Sequence, residues 1–133
     1  MFPRNGFPTG QRGESRLFDA NAASAAVGWA TYIVPSWATF LNIIAVGGGG
    51  NGGNGVVGAN STAAGGGGGG SGGQSTLSIA TELLPDVLYL SVGQASIATR
   101  VSIFPDASAN LHCLLVANGG GNGGNASGGT GGV

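Results

Sequence analysis

The chain has 133 residues, of which 30 are glycine, about three times ordinary usage, and only nine are charged, with a formal net charge of -1. An apolar content of 41% excludes charge-driven disorder, and five prolines with no Gly-X-Y period exclude collagen. Four arginines, no lysine and five acids provide no basic stripe, so no nucleic-acid partner is expected.

Residues 1–26 read as an extended arm. Five of the nine charges (Arg4, Arg12, Glu14, Arg16 and Asp19) fall in its first 19 residues, and its apolar residues keep neither strand nor helix spacing. The expected role is anchoring, with Phe2, Phe7 and Phe18 as apolar contacts and Arg4, Arg12 and Arg16 as polar ones. No secretory signal or membrane insertion is expected, since the most apolar run, 38–46, covers nine residues where a spanning helix needs about 20.

Residues 27–133 read as one glycine-rich β domain. Strands are predicted over 27–34 and 38–46 around a turn at Pro35, over 76–81 and 87–92 around Pro85-Asp86, and over 97–104 and 111–116 around Pro105-Asp106. These make three hairpins, and the expected fold is a small antiparallel β-sandwich with two long glycine-rich loops. Both faces of 38–46 are apolar, which points to burial on both sides, in a sandwich or at an oligomer interface. At this size the core is marginal, and association with copies or a larger assembly is a common remedy.

Twenty-five of the 30 glycines lie in two tracts, 47–73 and 119–132. A shift of 70 residues aligns Tyr32-Ile-Val-Pro-Ser36 with Ser102-Ile-Phe-Pro-Asp106, and Ile44-Ala-Val46 with Leu114-Leu-Val116. A shift of 71 then aligns Gly48-Gly-Gly-Asn51-Gly-Gly-Asn54 with Gly119-Gly-Gly-Asn122-Gly-Gly-Asn125. A phosphate-binding loop is not expected, because the P-loop pattern requires a lysine. Flexible loops and ordered glycine strands stay open as readings. In polyproline II geometry, with three residues per turn, Asn51 and Asn54 share one face, as do Asn122 and Asn125, and these four are the candidate surface contacts.

The run Trp29 to Pro35, then Trp37 to Val46 and the following Gly-Gly-Gly-Gly-Asn-Gly-Gly, resembles the glycine-rich domain of tailed-phage virion proteins, especially tail-fibre and adhesin proteins. The resemblance covers 27–73 and is echoed from Ile97 onward. It implies a non-enzymatic component on the particle surface, assembled in the host cytoplasm, with tail or capsid proteins as partners and a homotrimer favoured. A receptor-binding adhesin tip, touching a host-surface glycan or protein, and a capsid decoration protein are the alternatives.

No catalytic, cofactor or metal site is expected. Cys113 is the only cysteine and His112 the only histidine, and as strand neighbours their side chains would diverge, giving a core Cys and a surface or interface His. Asp86 and Asp106 have turn hydrogen bonding as their ordinary role.

Overall fold

The computed structural model describes residues 13–19, 29–57, 63–105, 110–127 and 132. Its strands are β1 Ala30–Ile33, β2 Phe40–Val46, β3 Val56–Val57, β4 Ala63–Ala64, β5 Gln74–Ala80, β6 Val87–Ser91, β7 Thr99–Ser102 and β8 Cys113–Ala117. Single 3₁₀ turns occur at Thr81–Leu83 and Asn110–His112, and all pairing is antiparallel. The fold is all-β, as expected, with one sheet ordered β1-β6-β7-β8 and a two-stranded layer, β2-β5, packed on it.

Strand positions follow the alternation in the sequence, whereas two of the three expected pairings are exchanged. β7 and β8 form a hairpin, with a bulge between Val101 and Ser102. β1, however, pairs with β6, and β2 pairs with β5. The cause is the first glycine tract, which folds back on itself. The β2–β5 register, Phe40↔Ala80 to Val46↔Gln74, continues without slippage through Gly47 and Gly73 to Val56↔Ala64 and Val57↔Ala63. Residues 39–57 and 63–81 are therefore the two arms of one long hairpin, and its stems must pair. The six-residue connections 34–39 and 81–86, with Pro35 and Pro85, carry the chain between the layers instead of closing hairpins.

The core is small, as a chain of this length dictates. Leu88 and Val101 are each 1% exposed, and Ala45 and Ala117 are also buried. Three buried hydroxyl residues, Ser91, Thr99 and Ser102, lie in the same layer. Thr99 and Ser102 are bonded to backbone: Ser102 Oγ donates to His112 C=O at 2.8 Å, and Thr99 Oγ1 to Val46 C=O at 2.6 Å.

The two-stranded layer does not cover the four-stranded one completely. Residues 14–18 run as a strap beside the gap, where Phe18 meets Tyr32 edge-on at 6.1 Å between ring centroids. Between the strap and β2 lies a cavity of about 370 Å³.

Candidate functional site: a glycine bundle rooted in the sandwich

The glycine tracts carry no β-ladder along most of their length, yet they are ordered as three extended runs. Run one, 47–54, leaves the end of β2; run two, 66–73, returns to β5; run three, 118–126, continues β8. Runs one and two are antiparallel, with Gly47, Gly50 and Gly53 N–H donating to Gly73, Gly70 and Gly67 C=O. Run two donates to run three from Gly67, Gly70 and Gly73 to Gly124, Gly121 and Asn118. Run three closes the cycle, with Gly120, Gly123 and Ala126 donating to Gly48, Asn51 and Asn54. These bonds are 2.7–2.9 Å long and recur at every third residue. That is the repeat of polyproline II geometry, in which one residue in three faces each neighbour.

Glycine is needed here for space. No left-handed φ occurs at Gly47, Gly50, Gly53, Gly66, Gly69, Gly72, Gly120 or Gly123, so the conformation itself would admit other residues there. A Cβ would however lie 2.0, 1.8 and 2.0 Å from a carbonyl oxygen at Gly47, Gly50 and Gly53, and 2.0–2.1 Å from one at Gly66, Gly69 and Gly72. At Gly120 and Gly123 the separations would be 2.2 and 2.1 Å. Two positions out of phase, Gly68 and Gly121, would meet nothing within 4 Å. The polar residues of the runs (Asn51, Asn54, Ser71, Asn118, Asn122 and Asn125) all avoid the packed phase.

The four candidate contact asparagines come together along the seam between runs one and three, where they have unequal roles. Asn51 N–H donates to Asn122 Oδ1 at 2.9 Å, and Asn54 N–H to Asn125 Oδ1 at 2.8 Å. Asn122 and Asn125 thus tie the runs together, whereas Asn51 and Asn54 use their backbones for the seam and expose their side chains. Substituting alanine for Asn122 should lower stability by about 1 kcal/mol, the worth of an ordinary hydrogen bond, while Asn51→Ala should leave it within about 0.5 kcal/mol. Urea unfolding of the two variants measures the difference.

The β6–β7 connection forms the root of the bundle. Gly48 N–H donates to Ile97 C=O at 3.0 Å, and Ser96 N–H to Gly49 C=O at 2.9 Å. Ser96 has φ of 62°, a left-handed conformation that turns its N–H toward run one, and its hydroxyl also bonds Asn122 Oδ1. Thr99 joins root to sandwich, since its Oγ1 donates to Val46 C=O and accepts Gly93 N–H at 3.0 Å. Sequence reasoning missed Ser96 and Thr99, because neither stands out in a strand-and-turn reading.

Of the six candidate arm residues, Phe2, Arg4, Phe7 and Arg12 lie outside the described residues. Arg16 pairs with Glu14, whose hydrogen bond and charge raise the guanidinium pKa above its usual value, and Phe18 packs on Tyr32 of the same chain. The described part of the arm therefore docks on its own domain.

His112 and Cys113 do not share a strand: His112 ends the 3₁₀ turn, exposed and edge-on to Phe104 at 5.5 Å, and Cys113 begins β8 as a half-buried free thiol. Asp86 C=O accepts Val34 N–H at 2.8 Å, and Asp106 lies outside the described residues. Among the described residues, no three His, Cys, Asp or Glu side chains gather in a way that could hold a metal ion.

The arrangement presents an uncharged, hydrogen-bonded glycine bundle at one end of a sandwich. At the opposite end, the turns and strand ends expose Ile33, Trp37, Phe40, Leu83, Phe104 and Leu111. Comparison with protein-family models, curated proteins and solved structures finds no match for the chain.

Proposed function

We propose that the protein is a non-enzymatic structural component of a phage particle, a small appendage or fibre subunit that docks on a larger virion protein and projects its glycine bundle outward. The observation that carries the reading is the molecule's polarity. Six large apolar side chains crowd one end, and the three glycine runs leave from the other. Large apolar side chains exposed in this number at one end favour a contact with another protein. The sequence resemblance to glycine-rich virion domains supplies the kind of assembly, and the arm residues Phe2, Arg4, Phe7 and Arg12 remain the proposed anchor.

The test is particle composition. Purified virions of the encoding phage should contain the chain, and virions assembled with a version lacking residues 1–12 should lose it. That truncation keeps the strap and its Phe18–Tyr32 contact. Quantitative mass spectrometry of both particle preparations reads the result, and undiminished incorporation of the truncated chain would remove the anchoring role. Exposed Asn51 and Asn54 side chains on a rigid support favour a second reading, the adhesin tip. Under it, excess purified protein should block phage adsorption to host cells, and Asn51→Ala/Asn54→Ala should weaken the block.

A further inference from the structure

The gap beside β2 has the features of a strand-shaped slot. In an antiparallel pair, alternate residues turn their N–H and C=O toward the partner. Gly47 N–H bonds Gly73 C=O, and Thr81 N–H bonds Thr39 C=O, so odd-numbered residues of this stem face β5. Even-numbered ones face the other way. Val46 C=O is taken by Thr99 Oγ1, whereas the N–H and C=O groups of Asn42 and Ile44 point to an edge that pairs with no strand among the described residues. The floor beside this edge is apolar, made by Tyr32, Leu88, Leu90 and Val101, and the strap forms the far wall.

The dimensions suit one strand. With a rise of about 3.3 Å, a strand spacing of about 4.8 Å and sheets about 10 Å apart, the inward half of a strand residue occupies roughly 80 Å³. A cavity of about 370 Å³ therefore corresponds to the inward half of a strand about five residues long, close to the length of the open edge from Leu41 to Val46. We propose that β2 accepts an added strand here, by β-augmentation, from the larger virion protein on which the chain docks, a step that rests on the function proposed above.

The chemistry of the occupant follows from the slot. Among the described residues its only charged lining side chains, Glu14 and Arg16, neutralise each other, so the strand is uncharged, with aliphatic residues at alternate positions. The chain's own first 12 residues fit poorly. They carry two arginines, Arg4 and Arg12, into a slot without net charge, and two prolines, Pro3 and Pro8, each lacking the N–H that a strand donates. A second copy would bring one of its edge strands, β1, β2, β5 or β8, with a paired neighbour attached, and the strap closes the side where that neighbour would lie.

The probe is the peptide acetyl-Thr-Val-Thr-Val-Thr-Val-Thr-amide, with a version carrying Pro for the central Val as control, added to the full chain. Amide hydrogen exchange by NMR reads the edge directly. Without peptide, Leu41, Ile43 and Ala45 should exchange slowly and Asn42 and Ile44 fast. Millimolar peptide should slow Asn42 and Ile44 at least tenfold, and the proline peptide should not. Asn42→Pro, which removes an edge N–H while leaving the β2–β5 ladder intact, should abolish peptide binding while retaining the melting transition. The proposal is overturned by slow exchange at Asn42 and Ile44 in dilute protein alone, which means that the chain fills its own slot, or by protection that rises with protein concentration, which means a second copy. Absence of slowing by the peptide, or undiminished binding to Asn42→Pro, overturns it equally. Particle composition reads the virion reading separately, so the two can fail independently.

Discussion

Alanine at Gly50 should disrupt the glycine bundle, lowering the melting temperature by roughly 12 °C or more, while alanine at Gly68 should leave it unchanged or slightly raised. The two residues differ by which way they face. A methyl at Gly50 would sit 1.8 Å from Gly121 C=O, with Gly121 itself bonded to run two, whereas a methyl at Gly68 meets nothing within 4 Å. The contact at Gly50 is backbone against backbone, so no side-chain rotation relieves it. Separating the runs would strain or break the Gly50–Gly70 and Gly70–Gly121 bonds, and the combined overpacking and bond loss should cost about 3 kcal/mol. Alanine at Gly68 has no such contact, and it reduces the freedom of the unfolded chain.

Extended along each run, the same geometry predicts tolerance with a period of three. Gly47, Gly50 and Gly53 should resist substitution in run one, Gly66, Gly69 and Gly72 in run two, and Gly120 and Gly123 in run three; at the root, Gly48 and Gly119 should resist it as well, since a Cβ would lie 1.9 Å from Gln94 C=O and 2.3 Å from Ser96 C=O. Differential scanning calorimetry of the Gly50→Ala and Gly68→Ala pair is sufficient to decide. Equal melting temperatures would mean that the runs do not pack as three extended strands.

Much of this bundle was legible in the sequence, though only in one dimension. The Asn-x-x-Asn spacing at 51/54 and 122/125 indicated a three-residue turn, and the 71-residue repeat relates residues that the fold sets side by side, with Asn51 on Asn122 and Asn54 on Asn125. The third run was harder to see. Residues 66–73 carry no asparagine, so the first tract read as one element when it is two antiparallel ones. The same oversight displaced the hairpins, because a tract that folds back with constant register forces its flanking strands to pair, and strand alternation contains no information about the partner. On β2 the sandwich accounts for one of the two apolar faces. Phe40, Ile44 and Val46, on the other, are exposed in the single chain because no strand among the described residues lies outside the two-stranded layer. Thr99 and Ser96 gave no signal, since their roles depend on backbone groups more than 45 residues distant in one case and on a left-handed φ in the other.

Thr99→Val should cost about 3 kcal/mol. Valine matches threonine in shape, so nothing is lost in packing and the test isolates the hydroxyl. That hydroxyl donates to Val46 C=O at 2.6 Å and accepts Gly93 N–H at 3.0 Å, and Thr99 itself is 7% exposed. Valine leaves both groups unpaired, and a buried group without a partner costs about 1–3 kcal/mol. The loss would fall where run one leaves β2 and where the β6–β7 connection supports it, so the root of the bundle should loosen before the sandwich does. Amide exchange at Gly48, whose N–H donates to Ile97 C=O, should therefore accelerate more than exchange at Leu90 or Val101. Thr99→Ser keeps both bonds and loses only a methyl, so it should cost about 1 kcal/mol. If denaturant unfolding gave equal losses for valine and serine, the hydroxyl would not be the joint between sandwich and bundle, and the rigidity of the glycine runs would have to originate within the bundle itself.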